Sequence, residues 1–99
     1  MAFVGFTERE LDVLALFVNG ARPTEIAELL GISRQRVHAL LKGVYSKTGV
    51  HEASALKQWA VECCLNETLA AAPGFIPAQT DNDFLVSYLQ WRKANPIAK

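Results

Sequence analysis

The stretch that decides the fold is Ser33-Arg34-Gln35-Arg36-Val37-His38, residues 33–38 of the chain. Ser33 is a residue type that caps the N-terminus of a helix, because its hydroxyl can accept a free backbone N–H. Gly31 ends the preceding helix, and Ile32 can fill the angle of the tight turn between the two helices. Positive charge therefore falls on the first turn of a helix that follows a tight turn. This arrangement predicts a helix-turn-helix whose second helix has a basic N-terminus.

Two helices are predicted on the N-terminal side of this turn. Thr7 and Glu10 form a capping box, in which each side chain accepts the backbone N–H of the other residue. The first helix is therefore expected to begin at Glu8 and to end at Asn19-Gly20. The second helix is expected to begin at Pro23, whose fixed φ suits the first helical position, and to end at Gly31.

The third helix, over residues 34–47, is predicted to have a buried and an exposed face. Its apolar spacing predicts that the buried positions are Val37, Leu41, Val44 and Thr48. Guanidinium groups at 34 and 36 suit guanine or phosphate, the amide at 35 suits adenine, and the ammonium at 42 suits phosphate. The exposed face is therefore the predicted DNA reader, and the alternative is an ordinary solvated face. The residues outside the buried stripe are Arg34, Gln35, Arg36, His38, Ala39, Lys42 and Tyr45.

The C-terminal part of the chain is predicted to add two more helices. A fourth helix is expected from about Glu52 to Leu69, with apolar residues on more than one face. Residues 70–79 include prolines and a glycine and predict an extended connector. Residues 80–83 then cap a fifth, aromatic-rich helix that ends near Asn95. The expected organisation is a DNA-binding domain over 1–69, a connector over 70–79 and an amphipathic helix over 80–99.

Length and composition are typical of one small folded domain. The chain has 99 residues and 51% hydrophobic content, which allows a modest core. Neither a signal peptide nor an apolar run of roughly 20 residues is apparent, so a cytoplasmic protein without a membrane span is expected. Cys63 and Cys64 are adjacent and are expected to be buried thiols rather than a disulfide. No spacing suggests a catalytic site, a metal site or a cofactor, and an enzyme is not expected.

Charge is distributed unevenly although the formal net charge is zero. Residues 22–57 contain six basic and three acidic residues, so this central segment carries +3 before its histidines. The segments on either side are acidic, with −2 over residues 1–21 and −1 over residues 58–99. A basic centre suits one DNA-facing surface, while acidic flanks limit non-specific affinity.

The ordered set of these features resembles the LuxR/GerE-type helix-turn-helix, the DNA-binding domain of many bacterial response and quorum-sensing regulators. The resemblance covers about residues 6–66 without a gap. It implies a four-helix domain whose third helix reads the major groove and whose fourth helix commonly mediates dimer contacts. The matching residues are Phe6 to Leu14, Gly20, Glu25 to Ala27, Leu30, Ile32, Ser33, Val37, Val44, Lys47, Gly49 and Val50.

Site residues follow from the resemblance position by position. It implies that Arg36, His38, Ala39 and Lys42 face the groove or the DNA backbone, and that Lys47 is the family's basic residue before the Gly-Val turn. The chain departs from the family at Leu40, where a histidine is usual, and at Arg22, Thr48 and Ala53. The predicted DNA-binding set is Arg34, Gln35, Arg36, His38, Ala39, Lys42 and Lys47.

The C-terminal helix lies beyond the resemblance, and three arrangements are open for it. It could fold back onto its own core, swap onto a second protomer, or dock another protein. The candidate dimer or partner residues are Trp59, Cys63, Phe84, Tyr88, Leu89 and Trp91.

The resulting expectation is an all-α, homodimeric, sequence-specific transcriptional regulator that binds double-stranded DNA. The alternative is a protein-interaction module on the same scaffold, which would bind RNA polymerase or a regulator through its C-terminal helix.

Overall fold

A computed structural model describes residues 5–75 and 81–96 of the chain. Within these ranges the chain forms six helices and no strand, so the predicted all-α class is confirmed. The helices are α1 (Glu8–Val18), α2 (Pro23–Leu30), α3 (Arg34–Thr48), α4 (Ala53–Glu62), α5 (Leu65–Ala70) and α6 (Asp81–Ala94). Every helix in the described ranges is too short or too polar to cross a bilayer.

The capping signals place the first three helices where the sequence predicts them. At the start of α1 the Thr7 N–H donates to Glu10 Oε1 at 2.8 Å, and the Glu10 N–H donates to Thr7 Oγ1 at 3.1 Å. Gly31 ends α2 with a φ of 69°, a left-handed conformation that glycine adopts without steric cost. Ser33 then caps α3, accepting the Arg36 N–H at 3.1 Å. These caps fix the direction in which α3 leaves the turn.

The buried side of α3 differs from the sequence prediction at three positions. Tyr45, predicted to lie outside the buried stripe, is half-buried and packs on the core. Leu40 is only 6% exposed and lies beside Leu41 in the core, although the apolar spacing leaves it outside the buried stripe. Thr48 is only partly buried, and its hydroxyl donates to the Tyr45 carbonyl at 3.3 Å. The core is broad enough at the middle of α3 to accept two successive leucines, whereas the last turn of the helix reaches its edge.

A glycine within α3 allows the helix to pass close to α1. A Cβ atom at Gly43 would lie 2.6 Å from Glu10 Oε2, far inside normal contact distance. Glycine in a helix costs about 1 kcal/mol relative to alanine. Here the absence of a side chain at Gly43 makes room for the Glu10 carboxylate in the position where it caps α1.

The core consists of two neighbouring clusters of buried side chains. The first lies between α1, α2, α3 and the C-terminal part of the chain, and the second joins α1 and α3 to α4 and α5. Phe6, just before the α1 cap, and Leu11, within α1, both pack on the second cluster, which fixes how the chain enters the helix. Fully buried members of the two clusters include Val13, Leu16, Ile26, Val37, Leu14, Val44 and Leu56.

The prediction of one continuous helix from Glu52 to Leu69 is wrong, because α4 ends at Glu62 and a separate helix, α5, begins at Leu65. Cys64 has a φ of 54° and a ψ of 46°, a left-handed conformation that is uncommon for a residue with a side chain. The break redirects the chain into α5, where Leu65 is 1% exposed in the second cluster. It also brings Asn66 to Asn19 at the end of α1, where the two side-chain amides exchange hydrogen bonds of 3.0 and 2.9 Å. Cys64 is exposed and Cys63 is half-buried, so the expectation of two buried thiols is also wrong.

Helix α6 folds back onto the core of its own chain. Phe84 and Tyr88 are 7% and 1% exposed, and their rings contact Phe75 from the end of the preceding segment. The Trp91 indole N–H donates to the Pro73 carbonyl at 3.0 Å. The C-terminal end of the predicted connector and the Thr80 cap lie outside the described residues.

A buried carboxylate ties α6 to α1. Asp12 is fully buried, and its Oδ1 accepts the Tyr88 hydroxyl at 2.5 Å and the Arg92 Nε–H at 2.9 Å. Its Oδ2 accepts the Arg9 guanidinium at 3.3 Å. Burial raises the pKa of Asp12 above its ordinary value, and the Tyr88 hydroxyl and the charge of Arg92 lower that pKa by less. Burial and the adjacent Asp12 charge likewise raise the pKa of Tyr88, so this hydroxyl stays protonated.

Candidate DNA interface

Helix α3 is held by its neighbours so that one side of it faces solvent. Both α1 and α2 pack against it, burying Val37, Leu40, Leu41 and Val44. All seven residues predicted to contact DNA are exposed. Six of them, without Lys47, make up one basic surface of α3. These residues, called here the α3 basic face, are Arg34, Gln35, Arg36, His38, Ala39 and Lys42.

The electrostatics of the α3 basic face suit an anionic ligand. Helix α3 contains no aspartate or glutamate. Among the described residues, none forms an ion pair with Arg34, Arg36 or Lys42, which leaves their cationic groups without an internal counter-charge. The N-terminus of the helix adds its partial positive charge and its free N–H groups at the same end. Two guanidinium groups and a helix N-terminus therefore point to the solvent within one turn of each other.

Four exposed residues of α3 lie on one line along the helix. Gln35, Ala39, Lys42 and Ser46 recur at spacings of four, three and four residues, which places them on one line along the helix. Ser46 is not among the predicted site residues, although helical spacing from Ala39 and Lys42 could have identified it. Ala39 in the middle leaves room for a base edge or a phosphate to approach the backbone.

Lys47 differs from the rest of the predicted set because its ammonium group is already engaged. It donates to Glu10 Oε1 and to the Gly5 carbonyl, the latter at 2.7 Å, and it lies 5.6 Å from the centre of the Phe6 ring. The Lys47 side chain is 37% exposed, and that of Glu10 is 9% exposed. Lys47 therefore joins the end of α3 to the start of α1, and its role as a DNA contact stays a prediction.

The Lys47–Glu10 pair predicts a pH-dependent contribution to stability. Partial burial raises the pKa of Glu10, but the hydrogen bond and charge of Lys47 and the N–H of Thr7 lower it by more, so the net pKa lies below the ordinary value of 4.5. A carboxyl with a lowered pKa stabilises the fold above its unfolded-state pKa and loses that stabilisation as the pH falls through the folded-state pKa. We expect Lys47→Met to reduce the free energy of unfolding at pH 7 by about 0.5–1 kcal/mol, allowing for solvent screening.

Urea unfolding of Lys47→Met at pH 7 and at pH 3 checks this expectation. The difference from the wild-type protein should shrink as the pH falls through the folded-state pKa of Glu10, because the protonated carboxyl no longer pairs with Lys47. Lys42→Met is the matched control, because it removes an unpaired cation from the same helix and should change stability little. An equal effect of the two substitutions at pH 7 would contradict the structural role of Lys47.

The predicted partner-facing residues separate into two groups. Phe84 and Tyr88 are buried in the first core cluster of their own chain, and their role as partner contacts stays a prediction. Leu89 and Trp91 are half-buried on α6, and Trp59 and Cys63 are half-buried near the α4–α5 break. The ring of Trp59 lies 6.1 Å from that of Phe6. Aromatic spacing along α6 could not distinguish a core helix from a docking helix.

The described residues contain no group of three or more histidine, cysteine, aspartate or glutamate side chains that could hold a metal ion. His38 is exposed at the α3 basic face and His51 is exposed in the turn before α4. The two histidines thus lie on separate elements of the fold.

The three-helix arrangement and the basic face of α3 agree with a comparison against known protein families. Residues 4–60 match the bacterial regulatory proteins of the luxR family, under the family name GerE. Neither the curated proteins nor the solved structures yielded a match. The family match covers more than half of the chain and includes the whole of α1, α2 and α3. The chain therefore belongs to the LuxR family of helix-turn-helix DNA-binding regulatory proteins.

Proposed function

We propose that this protein is a sequence-specific transcriptional regulator that acts in the cytoplasm as a homodimer and inserts helix 34–47 into the DNA major groove. One observation carries the proposal: the α3 basic face is exposed, contains no acidic side chain and has cations without internal partners among the described residues. Affinity for DNA is dominated by neutralisation of phosphates, and base contacts from a helix in the major groove add specificity.

Individual roles in this proposal follow from the chemistry and position of each side chain. Arg34 and Arg36 lie on the first turn of α3, the end of a recognition helix that contacts base edges. Their planar forks suit guanine O6 and N7, and the Gln35 amide suits adenine. Lys42, two turns further along, suits a phosphate. His38 and Ala39 occupy the surface between these groups.

The proposed homodimer would use helix α4. This assignment is supported by an exposed apolar residue on that helix, Val61, whose side chain is 77% exposed. Trp59 and Cys63 lie within two residues of it and are half-buried. In a two-fold dimer the paired α3 helices would read half-sites about one helical turn apart.

Selection from a random pool of DNA duplexes tests the proposal directly. The full chain is incubated with the pool, bound sequences are recovered, and the preferred duplex is titrated by fluorescence anisotropy at several salt concentrations. We expect a two-fold symmetric motif and an affinity whose logarithm falls linearly with the logarithm of salt, by about 0.9 per neutralised phosphate. Recovery of no motif would contradict sequence-specific binding, and a single half-site bound by one protomer would contradict the dimer.

The rival function is a protein-interaction module that binds RNA polymerase or a regulator without reading DNA. Leu40 stands where the family usually has a histidine, a departure that taken alone favours this rival. In the fold, however, Leu40 is buried, so the α3 basic face keeps its full set of polar groups. An exposed apolar residue on α6, Val86, still favours contact with a protein partner. The selection experiment separates the two functions, because the rival predicts no motif and no steep salt dependence.

A further inference from the structure

A groove between α2 and α6 is a surface feature to which DNA recognition assigns no role. It encloses about 500 Å³, and none of the residues that line it belongs to α3. The groove is lined by Leu29, Leu30, Leu89, Arg9, Arg92, Lys93 and Pro96, and it is called here the α2–α6 groove.

The floor of the α2–α6 groove is apolar and is left open by the fold. Leu29 is 48% exposed, although it is a large aliphatic side chain in a short helix. Leu30 and Leu89 are half-buried and pack against the first core cluster. Val86 lies one turn before Leu89 on the same side of α6 and is 54% exposed. The apolar strip along α6 therefore extends from Val86 to Leu89, about one helical turn.

The rim of the groove carries a net positive charge. Arg9 and Arg92 both pair with the buried carboxylate of Asp12, so one negative charge balances two guanidinium groups. Lys93 is exposed, and it forms no ion pair within the described residues. Glu28 precedes Leu29 on α2 but lines a different cavity, beside Thr24 and Arg34. Counted over the described residues, the rim therefore has two unbalanced positive charges around an apolar floor.

We propose that the α2–α6 groove binds an acidic amphipathic helix of a partner protein. Apolar side chains at spacings of three and four would lie on Leu29, Leu89 and Val86, as they do when a helix occupies a hydrophobic groove. Carboxylates beside them would meet the exposed Lys93 and the partly exposed guanidinium of Arg9. Because the groove is open along one side and has apolar residues from two helices, it suits a helix better than a compact ligand. This surface is separate from the α3 basic face and does not depend on the proposed DNA function.

A designed peptide pair tests the groove on the full-length protein. The probe is a fluorescein-labelled helical peptide with leucines at positions 1, 4, 5 and 8 of its central repeat and glutamates on the flanks, and the control has lysines in place of the glutamates. Fluorescence anisotropy should show binding of the acidic peptide, and the affinity of the basic peptide should be lower by a factor of about ten or more. Equal affinity of the two peptides, or no binding of the acidic peptide, would overturn the proposal.

Two matched pairs of variants locate the site. Leu29→Asn and Lys93→Glu should each lower the affinity for the acidic peptide by a factor of about five or more. The first substitution removes an apolar contact, and the second places like charges together. Val61→Asn and Lys57→Glu make the same chemical changes on α4 and should leave peptide affinity unchanged. All four proteins are checked for folding by circular dichroism. Loss of peptide binding in the α4 variants, or retention in the groove variants, would place the site elsewhere.

Two further measurements distinguish other occupants of the groove. Sedimentation velocity should give the same oligomeric state for Leu29→Asn and the wild-type protein; dissociation of a dimer by this substitution would make the groove a self-interface. Dodecanoate should not compete with the acidic peptide, and full competition would indicate a site for a small anionic amphiphile.

DNA affinity of Leu29→Asn should equal that of the wild-type protein, so failure of the groove proposal is separable from failure of the proposed DNA function.

Discussion

Replacement of Arg92 by methionine should lower the free energy of unfolding at pH 7 by about 3 kcal/mol, measured by urea denaturation. The substitution keeps much of the side-chain volume but leaves the fully buried Asp12 carboxylate without its 2.9 Å partner. Breaking a buried ion pair by removing one partner costs about 3–5 kcal/mol. The lower end applies because Arg9 and the Tyr88 hydroxyl still contact Asp12.

The pH dependence of this variant follows from the direction of the Asp12 pKa. Burial raises that pKa above 3.8 in the folded chain, and removal of the Arg92 charge should raise it further. A carboxyl with a raised pKa takes up its proton first in the folded state, so folding becomes more favourable as the pH falls through the folded-state pKa. The deficit of Arg92→Met should therefore shrink between pH 7 and pH 4.

Two further proteins control this experiment. Lys93→Met removes the neighbouring cation, which pairs with no acid in the described residues, and should change stability by less than about 0.5 kcal/mol. The double variant Asp12→Asn with Arg92→Met should be more stable at pH 7 than Arg92→Met alone, because it carries no buried charge. An Arg92→Met protein as stable as Lys93→Met would show that Asp12 does not depend on this pair.

Replacement of both Arg34 and Arg36 by alanine should weaken binding to the selected duplex about 30-fold or more. This magnitude takes the lower value of about 1 kcal/mol for each bidentate base contact. If the two arginines bind phosphates instead, the slope of the salt dependence should fall by about one for each phosphate that is no longer neutralised. Anisotropy titrations at three salt concentrations separate these two contributions, because removal of base contacts relaxes specificity while removal of phosphate contacts weakens binding to all duplexes.

The matched control replaces Lys57 and Lys93 by alanine. These residues are exposed, carry the same total charge and lie on α4 and α6 rather than α3. Their replacement should leave both the affinity and the selected motif nearly unchanged. A similar loss of affinity in the two double variants would mean that overall charge, and not the α3 basic face, holds the DNA.

The first three helices could be predicted from sequence because each end carries a local signal. Thr7 with Glu10, Pro23, Gly31 and Ser33 act on backbone groups within four residues of themselves, so their effect does not depend on the rest of the fold. The break after Glu62 carries no such signal. Apolar spacing continues across it, and a left-handed cysteine is adopted only because Leu65 and Asn66 find partners in α1 and the second cluster.

The candidate site could be predicted for similar reasons, and the missed features were non-local. Exposed cations on the first turn of α3 follow from the cap and the helical period. In contrast, the engagement of Lys47 depends on Glu10, 37 residues away, and Asp12 meets Tyr88 across 76 residues. Periodicity identifies which face of a helix is polar, but only the assembled core shows which polar groups pair with each other.

The distance along the chain between Asp12 and its partners bears on the order in which the protein folds during synthesis. The first three helices are complete when residue 48 has been added, yet Arg92 lies 80 positions after Asp12. Until α6 emerges from the ribosome, a nascent chain that packs α1 must either leave this carboxylate in water or bury it without Tyr88 and Arg92. We therefore expect the nascent helix-turn-helix to stay loosely packed until α6 has emerged, since non-local contacts are made only after the intervening chain is ordered.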